Sequence, residues 1–235
     1  MIKLELYPIL LDNRESLRET SKDDSDPNDI QYMTSSETEV VNFDLVKRHY
    51  VNGFGLSENA ITSVDAIVPL EDRILFVEFK NGQVNNRNIK DKARDSLLVF
   101  LEIIGENIAF SRSNIDFIVV YNLEKNPLPR QVQKGQLQET PSRVSIADHF
   151  MGKARKEFIC FDLERYERLY YRNIHTYSKK RFGEYLQALK LADNRIMKID
   201  SIASEADIQL LHGMKVMAST AGNTMATKNQ IASAI

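Results

Sequence analysis

An aspartate, a glutamate and a lysine stand in two apolar runs of this chain, where charge is costly. Residues 61–70, ITSVDAIVPL, carry one acid, Asp65, and residues 74–80, ILFVEFK, carry Glu78 and Lys80. Side chains alternate along a strand, so Ile74, Phe76, Glu78 and Lys80 share one face and Leu75, Val77 and Phe79 the other. The short acidic turn between the runs predicts an antiparallel hairpin, which brings Asp65 within reach of Glu78. Two carboxylates in a partly dry site repel each other; one takes a proton unless a divalent cation takes both as ligands. Magnesium favours carboxylates, waters and phosphate oxygens. Lys80 beside that pair can orient or deprotonate a metal-bound water, or meet charge developing on a phosphate. The plainer reading of the same residues is a surface hairpin whose Glu78 and Lys80 pair at a strand end.

The elements that must position these residues follow from periodicity. Residues 2–7 alternate and predict a strand; residues 12–33, polar, acidic and broken by proline, predict a flexible loop. Ser36 and Glu39 have capping-box spacing, which predicts a helix from Ser36 to about Tyr50. Two strands are expected over 60–70 and 73–80, then a helix over 87–106 with Ile89, Ala93, Leu97, Phe100 and Ile104 in one stripe. IDFIVVYNL, residues 115–123, reads as a strand buried on both faces, parallel to 73–80 through a right-handed crossover. Residues 124–144 form a long loop. Helices are expected over 145–154, 164–172, 179–192 and 200–217, and a strand over 157–163. The expected fold class is α/β, a mixed sheet flanked by helices, in one domain over 1–199, followed by a C-terminal helix and frayed tail over 200–235.

Asp65 followed, after twelve residues, by Glu78-Phe79-Lys80 resembles the PD-(D/E)xK nuclease superfamily. The flanking order matches too: helix, hairpin carrying the acids, long helix, buried strand. The resemblance covers roughly residues 36–123, and Val64 stands where the motif's name has a proline. It implies a restriction-endonuclease-like core and a hydrolase of phosphodiester bonds, endonuclease or exonuclease, acting on DNA rather than RNA. It implies a Mg2+ site, with Mn2+ able to substitute, held by Asp65, Glu78 and the main-chain carbonyl of Phe79, and Lys80 as the catalytic lysine. It is compatible with a homodimer. A second class of function is a nuclease-like module that binds nucleic acid or protein without catalysis, in a defence, repair or mobile-element assembly. A third is an ordinary interaction domain carrying the motif by chance.

Other residues have two readings each. Lys90 and Arg94, four apart on the long helix, either reach a nucleic-acid phosphate or make local pairs with Asp91 and Asp95. Gln83 either shapes a turn or contacts substrate. Glu39 is either a third acid near the metal or, the better fit, the capping-box partner of Ser36. Basic residues recur at Lys125, Arg130, Lys134, Lys153, Arg155, Lys156, Lys179, Lys180 and Arg181; together they can form a phosphate-tracking rim, and each cluster alone reads as solvated surface. The aromatic residues crowded into 158–185 read as core packing before base stacking.

The 235-residue chain has a formal net charge of −2, which excludes the overall basic character of a strong nucleic-acid binder and leaves only local patches for such contacts. One cysteine, Cys160, excludes an internal disulfide and a cysteine-rich zinc site. The four histidines lack metal-ligand spacing, and no glycine-rich phosphate loop or nucleophile elbow is present, so no organic cofactor is expected. The first residues lack the pattern of a signal peptide, and no apolar run reaches the length of a membrane span, so a cytoplasmic protein is expected.

Overall fold

The computed structural model describes residues 6–127 and 159–190. The chain divides into two compact units, 1–183 and 184–235; of the second, residues 184–190 are described and are helical. The first unit holds α1 (Pro8–Leu11), β1 (Arg14–Ser16), α2 (Leu17–Thr20), β2 (Lys22–Asp23), β3 (Gln31–Tyr32), β4 (Glu39–Asn42), α3 (Phe43–Gly53), β5 (Ala66–Pro69), β6 (Ile74–Lys80), α4 (Asn86–Ile104), α5 (Ile108–Asn114), β7 (Ile115–Tyr121) and β8 (Asn173–Ser178). Six strands form a mixed sheet in the order β1-β4-β5-β6-β7-β8, and β2 and β3 form a separate pair. Helices flank the sheet, so the class is α/β, as the sequence led us to expect. No helix among the described residues is long and apolar enough to cross a membrane.

The centre of the sheet follows its side chains. β5 and β6 are antiparallel, with Ala66 opposite Val77 and Pro69 opposite Ile74. β6 and β7 are parallel, and all seven residues of β7 are buried, as a strand covered on both faces requires. The Ile89/Ala93/Leu97 stripe of α4 packs on the β6 face that carries Phe76. There the Phe76 ring meets Phe100 edge-on at 5.2 Å and Phe43 at 6.0 Å. Phe76 is fully buried, a contribution of about 1.5–3 kcal/mol from transfer alone. Asn85 caps α4, its side chain accepting from the backbone N–H groups of Arg87 and Asn88, and left-handed Gly105 ends the helix. Asn85→Ala is expected to lower stability by about 1 kcal/mol in urea unfolding, with an unchanged m-value.

Several sequence expectations change. Residues 12–33 are not a flexible loop. Leu17 and Met33 are buried, β1 pairs with β4, and Ser16 caps α2, so a few apolar anchors and a strand partner outweigh the polar composition. The polar, proline-containing stretch 24–30 is confined to the exposed tip between β2 and β3. The helix expected from Ser36 starts at Phe43 instead. Val40 and Val41 are β-branched and enter strand β4 between β1 and β5, and Asn42, not Ser36, caps the helix.

The strand expected over 60–70 shortens to β5, because residues 62–64 bond to side chains of other elements. Thr62 donates to Asp95 through its backbone N–H (2.9 Å) and its hydroxyl (2.8 Å), and Val64 N–H donates to Ser96 Oγ at 2.8 Å. Residues 159–163 make no strand. Phe161 and Asp162 turn the backbone sharply, at φ 64° and 54°. A single 3-10 turn, Glu164–Tyr166, stands where a helix over 164–172 was expected. The helix expected at 179–192 is helical over 179–190. Residues 6–7 are not part of a strand. The rest of the 2–7 strand, most of the 124–144 loop, the 145–154 and 200–217 helices and the basic residues Arg130, Lys134, Lys153, Arg155 and Lys156 lie outside the described residues.

Candidate metal and phosphate site

The three residues singled out by type meet at one place. Asp65 immediately precedes β5, and its backbone N–H donates to Val77 O at 3.1 Å, so the β5–β6 ladder fixes it opposite the end of β6. Its carbonyl accepts from Phe43 N–H at 3.1 Å, which ties it to the start of α3. Asp65 Oδ2 accepts from Phe79 N–H at 2.6 Å. Since Val77 O and Phe79 N–H both point to the β5 edge, backbone alternation directs the Phe79 carbonyl to that edge as well.

Glu78 lies two residues beyond Phe76 on the face covered by α4 and is fully buried. Lys80 Nζ stands 2.7 Å from Glu78 Oε1, and the lysine side chain is 22% exposed. Asp44, in the first turn of α3, bonds the hydroxyl of Ser63. Asp44, Asp65, Phe79 and Lys80 line a polar cavity of about 420 Å³, together with Lys22 and Asp23 of β2. Comparison with known protein families, with curated proteins and with solved structures finds no match.

A residue outside the motif occupies the centre of the site. Lys92 Nζ of α4 lies 2.8 Å from Glu78 Oε1, 3.0 Å from Glu78 Oε2 and 3.3 Å from Asp65 Oδ1. It therefore bridges both carboxylates. Burial alone would pull Lys92 down, but the charges of Asp65 and Glu78 overcome it and hold its ammonium well above the ordinary lysine value. Asp65 moves the other way for an acid. Burial, then the Glu78 charge, push its carboxyl up to about 7, against the opposing pull of Lys92. These two shifts agree once the sharing is considered: Lys92 gives its closer contacts to Glu78, which leaves Asp65 the less compensated of the two acids.

The oxygen donors suit a hard divalent cation: one carboxylate just before β5 and one in β6, with the Phe79 carbonyl beside them. Glu78 Oε1 strengthens that fit. It is buried within 2.8 Å of two ammonium nitrogens, yet no donor is aligned for a hydrogen bond to it. Among the described residues, no group of three or more histidine, cysteine, aspartate or glutamate side chains converges as a ready-made metal cage.

The other named candidates fall elsewhere. Glu39 is in β4, largely exposed, and pairs with Arg14 at 2.7 Å, so it neither caps a helix with Ser36 nor joins the acids. Lys90 Nζ pairs with Asp162 at 3.4 Å, and Arg94 bonds Asp91. Both lie toward the 159–166 segment, on the border of α4 away from Lys92. Gln83 is exposed in the turn before α4.

Sequence reasoning missed Lys92 and Asp44. At about 100° per residue, Lys92 and Ser96 fall on the opposite border of the Ile89 stripe from Lys90 and Arg94. A lysine beside that stripe, opposite a hairpin bearing two acids, was the available signal. Asp44 was hidden by placing the start of its helix too early.

Proposed function

We propose that the chain is a metal-dependent nuclease with a restriction-endonuclease-like core, hydrolysing phosphodiester bonds of DNA in preference to RNA. The observation that carries this reading is the convergence of Asp65, Glu78 and Lys80 at the end of the β5–β6 hairpin, with Asp65 and Lys80 at the wall of a polar cavity and Glu78 buried behind them. Asp65, Glu78 and the Phe79 carbonyl would hold Mg2+ or Mn2+, which supplies Lewis acidity and an activated water when bound. The protein's own part is positional. The β5–β6 ladder fixes the two carboxylates, and Phe79 N–H orients Asp65. Lys80, at the cavity wall, presents an ammonium that can accompany a water or meet negative charge on a phosphate.

Purified protein with Mn2+ is expected to cleave labelled single- or double-stranded DNA, and EDTA to stop it. If no DNA or RNA substrate is cut with either metal, the catalytic reading falls.

A second reading, a nuclease-like binding module without catalysis, has one observation in its favour. Lys80 and Lys92 already neutralise Asp65 and Glu78, so the site is charge-balanced without a cation. Calorimetric titration with Mn2+ separates the two: binding that disappears in Asp65→Asn supports the metal site, and no binding favours the module.

A further inference from the structure

We infer that Lys92 is a resident counter-ion whose ammonium holds the cation position between Asp65 and Glu78, so that divalent-metal binding is an exchange in which Lys92 is displaced. The inference rests on the metal-dependent reading above and adds a residue and a control that the motif does not contain.

Geometry carries it. The Lys92 ammonium touches one oxygen of Asp65 and both oxygens of Glu78, at 2.8–3.3 Å. That is the bridging place a cation shared by these two carboxylates would take. A second, independent observation is the state of Glu78 Oε1, buried and without an aligned hydrogen bond although Lys80 and Lys92 are both close. The two ammonium groups crowd this one oxygen as ion-pair partners, so a cation that takes it as a ligand competes with them for it. Lys80 is not equivalent. It reaches Glu78 alone and borders the cavity, so it can stay beside the carboxylate when the bridge is broken.

Charge counting gives the same result. With both acids ionised, Asp65 and Glu78 against Lys80 and Lys92 sum to zero. A divalent cation added to that set leaves an excess of two positive charges in a largely buried site, which is costly. Withdrawal of Lys92 toward Asp44 removes part of that excess, and Asp44 is near enough for its charge to act on both Asp65 and Lys92. Without metal, Lys92 protects the fold from two uncompensated buried carboxylates. With metal, it becomes a competitor.

The test compares the parent chain with Lys92→Met, using Mn2+ as the probe in calorimetry and in thermal unfolding. Lys92→Met is expected to bind Mn2+ roughly ten- to a hundredfold more tightly, since no charged contact has to be broken. In EDTA it is expected to melt roughly 5–15 °C below the parent, and Mn2+ should recover most of that loss. Lys92→Gln, which keeps a hydrogen-bonding group but not the charge, carries the same comparison if Lys92→Met does not fold without metal. If the parent binds Mn2+ and neither variant binds it more tightly, the exchange is overturned while the metal site stands. If no protein binds Mn2+, the exchange and the metal-dependent reading fall together. If the variants bind more tightly and the parent cuts no nucleic acid, the exchange stands and the nuclease reading falls.

Discussion

Lys80→Ala is expected to lower Mn2+-supported cleavage by roughly 10²–10⁴-fold, the range for a group acting on a proton in the transition state, while binding Mn2+ no more weakly than the parent. The two readouts separate because Lys80 is not an oxygen donor. Its ammonium stands 2.7 Å from Glu78 Oε1, so its loss removes a competitor for that oxygen and does not remove a ligand. Lys92 remains as a partner for Glu78, so the buried carboxylate is not left uncompensated and the fold should persist. Lys80→Arg keeps the charge but replaces a compact ammonium with a planar fork, and is expected to recover only part of the rate. Single-turnover cleavage at saturating Mn2+ makes the measurement. A parental rate in Lys80→Ala would remove Lys80 from the chemistry and leave a metal site without its assisting lysine.

The legible parts of this molecule were those fixed by local periodicity. The alternation of ILFVEFK placed Glu78 and Lys80 on the face of Phe76, the α4 stripe packed where its spacing put it, and the continuous apolar run of β7 became a strand buried on both faces. The hairpin that joins Asp65 to Glu78 was legible from a short turn between two apolar runs.

What was hidden depends on partners distant in sequence. Val40 and Val41 fit a helical pattern as well as a strand, and pairing with β1 and β5 decided between them; neither neighbour can be read from residues 36–50. The polar stretch 12–33 folds because Leu17 and Met33 reach the core and because Asp23 and Gln31 both accept from the Asn81 amide beyond β6. Lys92 was hidden for a related reason. As part of α4 alone it is one more charged residue in a charged helix, and only the docking of α4 over β6 turns it toward two acids. The strand carrying Glu78 and Lys80 was therefore readable, while the helix residue that contacts both acids was not.

Asp65→Asn is expected to make the metal-free protein more stable at pH 8 and to flatten its stability between pH 5 and pH 8. The Asp65 carboxyl is pushed from an ordinary value of 3.8 up to about 7, by burial first and by Glu78 second. Between those two values the folded chain holds a proton that the unfolded chain has released. Stability therefore falls as pH rises through this window, and above about pH 7 the whole penalty is present. About three units at roughly 1.4 kcal/mol each give a penalty of the order of 4 kcal/mol, an upper figure because Asp65 shares Lys92 with Glu78. Asparagine cannot ionise, yet its amide oxygen can still accept from Phe79 N–H. The variant is thus expected to melt roughly 5–10 °C above the parent at pH 8 in EDTA, with the difference shrinking toward pH 5. A parent chain whose melting temperature rises from pH 5 to pH 8 relative to Asp65→Asn would contradict the shift. Saturating Mn2+ should reverse the order at pH 8, since the parent then gains a cation between its carboxylates while the variant has given up one of its charged ligands. The instability that Asp65 contributes without metal would then be the counterpart of its capacity to bind one.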